Sequence, residues 1–171
     1  AARTQATAAE TIGAELELTG RFGAFGFNVG LSALDSEFTE SAMLTDSQTN
    51  TNRLVPGGSP IPFAPELTAT AGVEYEFMLG STTLTPRIQA SYLDEQLSTP
   101  FRYEQTVVPS RTIADVRVTW VPLEQLRLEA FVSNVLDEEY IAAQVQDASS
   151  AQGGIIYGAP RQYGLRAKYD F

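Results

Sequence analysis

The fold is decided by a short stretch near the start of the chain, Ile12-Gly13-Ala14-Glu15-Leu16-Glu17-Leu18-Thr19. Its apolar residues occupy even positions, and its two glutamates occupy odd positions. Successive side chains of a β-strand point to opposite faces of the sheet. The alternation therefore predicts a strand with one apolar face and one polar face.

The same alternation returns in six further segments, at residues 25–33, 67–77, 84–92, 114–120, 126–133 and 162–171. We predict an all-β chain of about seven long antiparallel strands of about ten to twelve residues each, whereas strands of about five or six residues are usual in globular sheets. Eleven residues at about 3.3 Å each, tilted by about 40°, rise about 28 Å. That rise matches the apolar band of an outer-membrane barrel, which is about 25 Å tall.

The connections between these segments are of two kinds. Short turns are predicted at residues 21–24, 78–81 and 121–125, whereas residues 35–66, 94–111 and 137–161 form long links that we predict to be polar and irregular. Short turns at one end and long loops at the other are typical of a transmembrane barrel with periplasmic turns and extracellular loops. Aromatic residues at the short-turn end predict a girdle at the membrane interface: Phe22, Phe25, Phe77, Trp120, Tyr169 and Phe171.

Composition excludes several classes of function. The 171 residues carry a net charge of −10, which argues against nucleic acid as a partner, and they include neither cysteine nor histidine. Without these two residue types we predict no enzymatic activity, no cofactor and no metal site. The chain also lacks the run of about 18 apolar residues that a membrane-spanning helix needs. A soluble antiparallel sheet with one buried face is the alternative that alternation alone leaves open.

An odd number of strands is itself informative, because bacterial single-chain barrels have even numbers. Residues 1–9 do not alternate and are predicted to form a loop rather than an eighth strand. An open sheet would expose two unpaired edges to lipid, and each unpaired backbone group there costs several kcal/mol. We therefore expect the chain to be the C-terminal part of a larger barrel.

The C-terminal third contains two distinctive segments, Ser133-Asn134-Val135-Leu136-Asp137-Glu138-Glu139-Tyr140 and the segment from Tyr157-Gly158-Ala159-Pro160-Arg161 to the terminal Phe171. Together they resemble the end of TonB-dependent outer-membrane receptors. Phe63-Ala64-Pro65-Glu66 also resembles the entry to an earlier strand of that barrel. The resemblance implies a bacterial outer-membrane location and a barrel of about 22 strands.

The resemblance also implies energised uptake of a scarce nutrient, often a ferric siderophore. The partners it implies are outer-membrane lipid, the remaining barrel strands, an N-terminal plug that carries the TonB-contacting segment (the TonB box), and the inner-membrane TonB complex. We expect residues 1–171 to contain the barrel segment without the plug. The glycines Gly26 and Gly30 fall on the polar face, where the missing side chains would let a plug approach.

The residues that match the family motif are predicted to have structural roles. Asn134, Asp137 and Tyr140 are expected to cap the penultimate strand and order the loop, and Gly158 and Pro160 to set the entry into the last strand. Arg161 is expected to anchor the upper end of that strand by hydrogen bonds. The terminal Phe171 resembles the recognition signal used by the barrel assembly machinery.

Ligand binding is predicted for the long loops. Phe101, Arg102 and Tyr103 form a compact aromatic and cationic group that could stack on or pair with an anionic chelate. Secondary candidates are Arg53, Tyr157 and Arg161. Acidic residues also gather at the loop ends, where they form either a solvated face or a cation site: Asp35, Glu37, Glu40, Asp94, Glu95, Asp137, Glu138 and Glu139. A small structural or adhesion barrel without energised transport is the alternative function, and it would require an eighth strand and closure.

Overall fold

The computed structural model describes residues 7–146 and 153–171, and its regular structure is β-sheet with one 3₁₀ turn at Glu104–Thr106. Seven strands form one antiparallel sheet in which each strand pairs with the next. In order they are β1 (Ala9–Phe22), β2 (Phe25–Phe38), β5 (Leu67–Tyr75), β7 (Thr82–Leu93), β10 (Arg111–Leu123), β11 (Leu126–Ser133) and β14 (Gln162–Tyr169). Within these ranges no helix is long and apolar enough to cross a membrane.

The prediction of seven long antiparallel strands is confirmed, although their lengths vary more widely than the predicted ten to twelve residues. The strands range from 14 residues in β1 to 8 residues in β14. The first hairpin is longest because pairing continues beyond the alternating segments, residues 12–19 and 25–33, as far as the pair Ala9–Phe38. Within this extension Ser36 Oγ donates to Thr11 Oγ1 at 3.1 Å. Ala9 is therefore part of β1 and not of a loop, while residues 1–6 lie outside the described residues.

A proline interrupts the ladder between the third and fourth strands of the sheet. Pro86 lies inside β7, opposite Val118 of β10 on one side. On the other side it lies between the pairs Glu74–Arg87 and Phe77–Leu84, where the chain passes from β5 to β6 (Phe77–Leu79). Proline has no N–H to donate, so the ladder breaks there although the register continues.

The predicted short turns are confirmed. Strand pairs close directly at Phe22–Phe25, Leu79–Thr82 and Leu123–Leu126. Each leaves a connection of two residues, and glycine supplies the positive φ angle in the first two, +58° at Gly23 and +67° at Gly80. Such turns match the twist of the flanking strands.

The prediction that the long links are irregular is wrong, because each contains a small hairpin. The hairpins pair β3 (Ala42–Asp46) with β4 (Thr51–Val55), β8 (Gln96–Leu97) with β9 (Val107–Val108), and β12 (Ile141–Gln146) with β13 (Gly153–Tyr157). Strands of two to six residues are too short for a period of two to be recognised in a polar segment. All three hairpins follow the end of the sheet opposite to its short turns.

The apolar face of the sheet is exposed, whereas in a soluble protein the apolar face of a sheet is buried. Apolar side chains are open, with Leu165 at 86% and Ile12 at 64% exposed. On the other face the side chains of Glu129 and Glu74 are more covered, at 13% and 23% exposed, whereas that of Arg117 is 45% exposed. The strand path ends at β1 and at β14, and no pairing among the described residues joins these two strands.

Candidate functional site

The long-loop end of the chain contains a small core of its own. Buried apolar side chains lie in the hairpins and the segment between them, namely Val55, Leu97, Phe101 and Val108. Thr106 is completely buried and organises the 3₁₀ turn. Its Oγ1 donates to the Phe101 carbonyl at 2.8 Å and accepts a hydrogen bond from the Tyr103 N–H at 2.8 Å.

Asp46, Arg53, Phe101 and Tyr103 form one contact group, here termed the Asp46 cluster. Arg53 Nη1 lies 2.8 Å from Asp46 Oδ2, and the Tyr103 hydroxyl donates to the same oxygen. Arg53 also donates to the Tyr103 hydroxyl oxygen and lies over the Phe101 ring, 5.1 Å from its centroid. The cluster joins the hairpin β3–β4 to the segment that precedes β9.

The charge of the Asp46 cluster is held in place by these hydrogen bonds. Burial alone would raise the pKa of Asp46, whose side chain is 1% exposed, but hydrogen bonds from Tyr103, Arg53 and the Gln48 N–H outweigh it and lower the pKa below its usual value. The hydrogen bond to Asp46 raises the pKa of Tyr103 and of Arg53. Asp46 is therefore ionised and Tyr103 neutral over the whole physiological pH range.

Further polar contacts link the three loops in series. The Gln105 side chain donates to Gln48 Oε1 at 3.3 Å, and the Gln144 side chain of β12 donates to the Gln105 carbonyl. The Arg111 guanidinium donates to the Ile141 carbonyl and lies 4.9 Å from the centre of the Tyr140 ring. The second loop is thus in contact with both the first and the third.

The structure brings together only some of the predicted ligand-binding residues. Phe101, Tyr103 and Arg53 meet in the Asp46 cluster, although Arg53 comes from a different loop. Arg102 points elsewhere and pairs with Glu95 at 2.7 Å. Tyr157 is 60% exposed on β13, and Arg161 pairs with Asp137 at 2.9 Å.

Sequence reasoning missed Asp46, which lies at the centre of this cluster. The acidic residues considered from the sequence were those adjoining the ends of the long strands, whereas Asp46 ends a five-residue strand inside a loop. The sequence held one weak signal, since an aspartate in a polar segment commonly accepts a hydrogen bond from the backbone two residues ahead and so marks a turn. The structure contains this contact, with the Gln48 N–H donating to Asp46 Oδ1 at 2.9 Å. Among the described residues, no group of three or more acidic side chains is arranged to hold a metal ion.

The motif residues of the C-terminal third converge at the top of β11. Asn134, which is 3% exposed, has φ +51°; its side chain donates to the carbonyls of Glu138 at 2.8 Å and Ala159 at 3.3 Å. Its Oδ1 accepts a hydrogen bond from the Glu138 N–H at 2.9 Å. These bonds join the loop after β11 to the segment that enters β14.

Glycine and the Arg161 ion pair complete this junction. The Gly158 N–H donates to the Tyr140 carbonyl at 2.8 Å, and a Cβ at Gly158 would collide with the Tyr140 ring. Asp137 accepts both from the Arg161 N–H and from its guanidinium. Pro160 lies between Gly158 and Arg161, directly before the last strand.

One rung of residues crosses the polar face of all seven strands. In order of pairing it consists of Arg21, Gly26, Glu74, Arg87, Arg117, Phe131 and Gly164. Glu74 lies between two guanidiniums, 2.6 Å from Arg21 and 3.0 Å from Arg87. A Cβ at Gly26 would lie 2.9 Å from Glu74 Cγ, so the space expected to admit a plug is filled by the glutamate.

An open sheet with one exposed apolar face, one polar face, short turns and long loops is a segment of a transmembrane β-barrel. The matching family model is described as "TonB dependent receptor-like, beta-barrel" and covers residues 2–135. The chain belongs to this family. Family members are outer-membrane proteins of Gram-negative bacteria, so the chain is located in that membrane.

Several solved structures with a similar fold are named as receptors for siderophores or ferric chelates. The chain is 22% identical to the ferric yersiniabactin uptake receptor FyuA of Yersinia pestis, with a TM-score of 0.76 over 95% of this chain and 24% of that one. It is 20% identical to the siderophore receptor PiuA of Acinetobacter baumannii, with a TM-score of 0.72 over 93% of this chain and 21% of that one. It is 18% identical to the closed form of the ferric-catecholate import receptor Fiu of E. coli K12, with a TM-score of 0.69 over 95% of this chain and 21% of that one.

The chain thus spans about a fifth to a quarter of the receptors it resembles. No curated protein matches it.

Proposed function

We propose that this chain is the C-terminal part of the barrel of a TonB-dependent receptor that actively takes up a ferric siderophore or a similar iron chelate. The family membership supports a receptor, and the similar structures are named as receptors for ferric yersiniabactin, siderophores and ferric catecholates. The plug and the remaining strands belong to other parts of the same receptor. TonB contacts the plug, and no step of this function is enzymatic.

The observation that carries the proposal is the combination of an exposed apolar face with two unpaired sheet edges. Leu165 and Ile12 are open on the apolar face, which only lipid or another apolar surface can cover favourably. The unpaired outer sides of β1 and β14 require further strands, since an open edge is too costly in a bilayer. A small closed barrel is not formed by the described residues, so the structure gives the adhesion alternative no support.

Within this function, the ligand is proposed to bind at the long-loop end. Arg53 and Tyr103 present a cationic and an aromatic group next to each other, with 48% of the Arg53 side chain exposed. Such a pair suits an anionic aromatic chelate. Arg102, Tyr157 and Arg161 are further candidates. Phe101 is buried, and its ring packs against the Arg53 guanidinium.

The motif residues are proposed to serve the barrel rather than the ligand. Asn134, Asp137, Tyr140 and Gly158 join the last two strands across the loop through the contacts described above, and Pro160 sets the entry into the last strand. Phe171 follows the end of β14 and is fully exposed, as a recognition signal for the assembly machinery would need to be.

The proposal is tested with the intact receptor in its own host under iron limitation. Cells that lack the receptor are expected to lose growth on its chelate, and cells that lack TonB are expected to lose uptake while still binding the chelate. Uptake of labelled ferric chelate that continues without TonB would contradict the proposal.

The loop site is tested separately by Arg53→Gln and Tyr103→Phe. Each is expected to weaken chelate binding to whole cells without changing the amount of receptor in the outer membrane. Arg127→Gln, on the short-turn side of β11, is the matched control for the loss of one positive charge. If all three variants bind the chelate as tightly as the unmodified receptor, the Asp46 cluster is not part of the ligand site.

A further inference from the structure

The polar face carries two arginines that share one carboxylate. Arg117 and Arg166 both pair with Glu129, at 3.7 Å and 2.9 Å. Glu129 is 13% exposed, whereas the side chains of Arg117 and Arg166 are 45% and 67% exposed. One mostly covered carboxylate therefore serves two guanidiniums, Arg117 in the interior of the sheet and Arg166 in the edge strand β14.

Arg87 adds a third guanidinium at the same place. It is paired directly with Arg117 across the strands, and like charges in directly opposite positions destabilise a sheet. Arg87 turns towards Glu74, Asn28 and Gln89, but its Nε is buried without a hydrogen-bond partner. The two neighbouring arginines are thus held apart by different glutamates.

A cavity opens between these groups on the polar face. Arg87, Arg117 and Arg166 line it, together with Glu129 and Asp115. Asp115 uses its Oδ1 to accept the Asn134 N–H at 2.8 Å and forms no ion pair among the described residues. Arg87 is already paired with Glu74 outside the lining, and Arg166 is the nearer partner of Glu129. Arg117 is therefore the guanidinium of this cavity with the weakest ion pair, 3.7 Å from a carboxylate that it shares.

We propose that Arg87, Arg117 and Arg166, here termed the arginine patch, bind a carboxylate side chain of the receptor's plug. This inference rests on the proposed function, which places a plug against the polar face. A carboxylate that enters the cavity would relieve the repulsion between Arg87 and Arg117 and would give Arg117 a closer partner than Glu129. Guanidinium and carboxylate pair in a planar, bidentate geometry, so the patch would also set the orientation of the plug.

The segment's single lysine makes a direct test possible. Lys168 is the one lysine of the chain and pairs with Asp170 at 3.0 Å. In the full-length receptor, Arg117→Lys or Arg166→Lys adds one amine at the patch, and a carbodiimide couples an amine only to a carboxylate that it touches. Mass spectrometry then identifies the partner carboxylate.

The expected result is a cross-link from position 117 or 166 to an aspartate or glutamate of the plug. Arg102→Lys, which lies in a loop beside Glu95, is expected to give no cross-link to the plug. Arg117→Glu is then expected to loosen the plug, measured as faster proteolysis of the plug, and exchange of the identified plug carboxylate for lysine is expected to restore the slow rate.

Cross-links that reach only Glu129 or Glu74 of the barrel would overturn the inference, as would plug cross-links that are equally frequent from position 102. A requirement for Arg117 in uptake without any plug cross-link would assign the patch to an anionic ligand and would also overturn it. In all three cases TonB-dependent uptake by the unmodified receptor would leave the proposed function standing.

Discussion

The sheet and the long-loop end bury their side chains in opposite ways. Among the described residues, the buried ones all lie at the loop end apart from two glycines, and they include Val55, Asp46, Thr106 and Asn134. The seven long strands are joined by backbone ladders and bury no large side chain of their own. The sheet is therefore held by its backbone ladders, whereas the loops are held by a local core.

The largest effect is expected from a charge on the apolar face. Leu16 lies near the middle of β1 on that face, and Glu17 is its neighbour on the polar face. Leu16→Arg is expected to destabilise the barrel by about 2–4 kcal/mol, the cost of an arginine near the bilayer midplane. Folding titrations of the full receptor in lipid vesicles measure this cost. Glu17→Arg should cost far less, and equal costs for the two would mean that the apolar face does not meet lipid.

A smaller effect is expected at the junction above β11. Asn134→Ala would leave the Glu138 N–H and the carbonyls of Glu138 and Ala159 without their partner. These groups are only partly buried, so water replaces part of what is lost, and we expect a total cost of about 1–3 kcal/mol. We expect faster hydrogen exchange around residues 134–140 and 158–161. Ser133→Ala is the neighbouring control, and unchanged exchange in Asn134→Ala would show that these bonds do not order the junction.

The Asp46 cluster is expected to respond more weakly still, because Arg53 remains half exposed to water. Asp46→Asn would remove the charge that Arg53 and Tyr103 share, at a cost of about 1–2 kcal/mol to loop order. Limited proteolysis should cut residues 39–66 and 94–110 faster, with no change in the unfolding of the barrel. Glu95→Gln, which breaks an exposed pair with Arg102, should have little effect. A comparable change in both variants would argue against a local core.

The smallest effect concerns pH. The pKa of Asp46 is lowered, so its contribution is complete above the usual aspartate value of 3.8 and is lost as pH falls through the lowered value. The pKa of Tyr103 is raised, so its contribution is complete below 10.0 and is lost as pH rises through the raised value. Loop order should therefore persist between these limits. The difference in tyrosinate absorbance between the receptor and Tyr103→Phe measures the Tyr103 titration, and a midpoint at or below 10.0 would contradict it.

Much of the fold could be predicted from alternation, but much of the candidate site could not. The seven strands and the two-residue turns follow from local patterns, since apolar residues at every second position define a strand wherever it pairs. The meeting of Arg53 with Tyr103 could not be predicted, because the two residues are 50 positions apart and belong to different loops. The hairpins inside the loops were missed for a related reason, as β8 and β9 contain two residues each.

By itself the sequence determined which side chains face lipid and which face the interior, because that division follows from the period of the strand alone. It also determined the class of protein, through the motif around Asn134 and Gly158. Only the tertiary structure decided which charges meet. The strand register sets Arg87 opposite Arg117 and places Glu74 between two arginines. A shift of one strand by one residue would have sent the charged side chains of that strand to the other face.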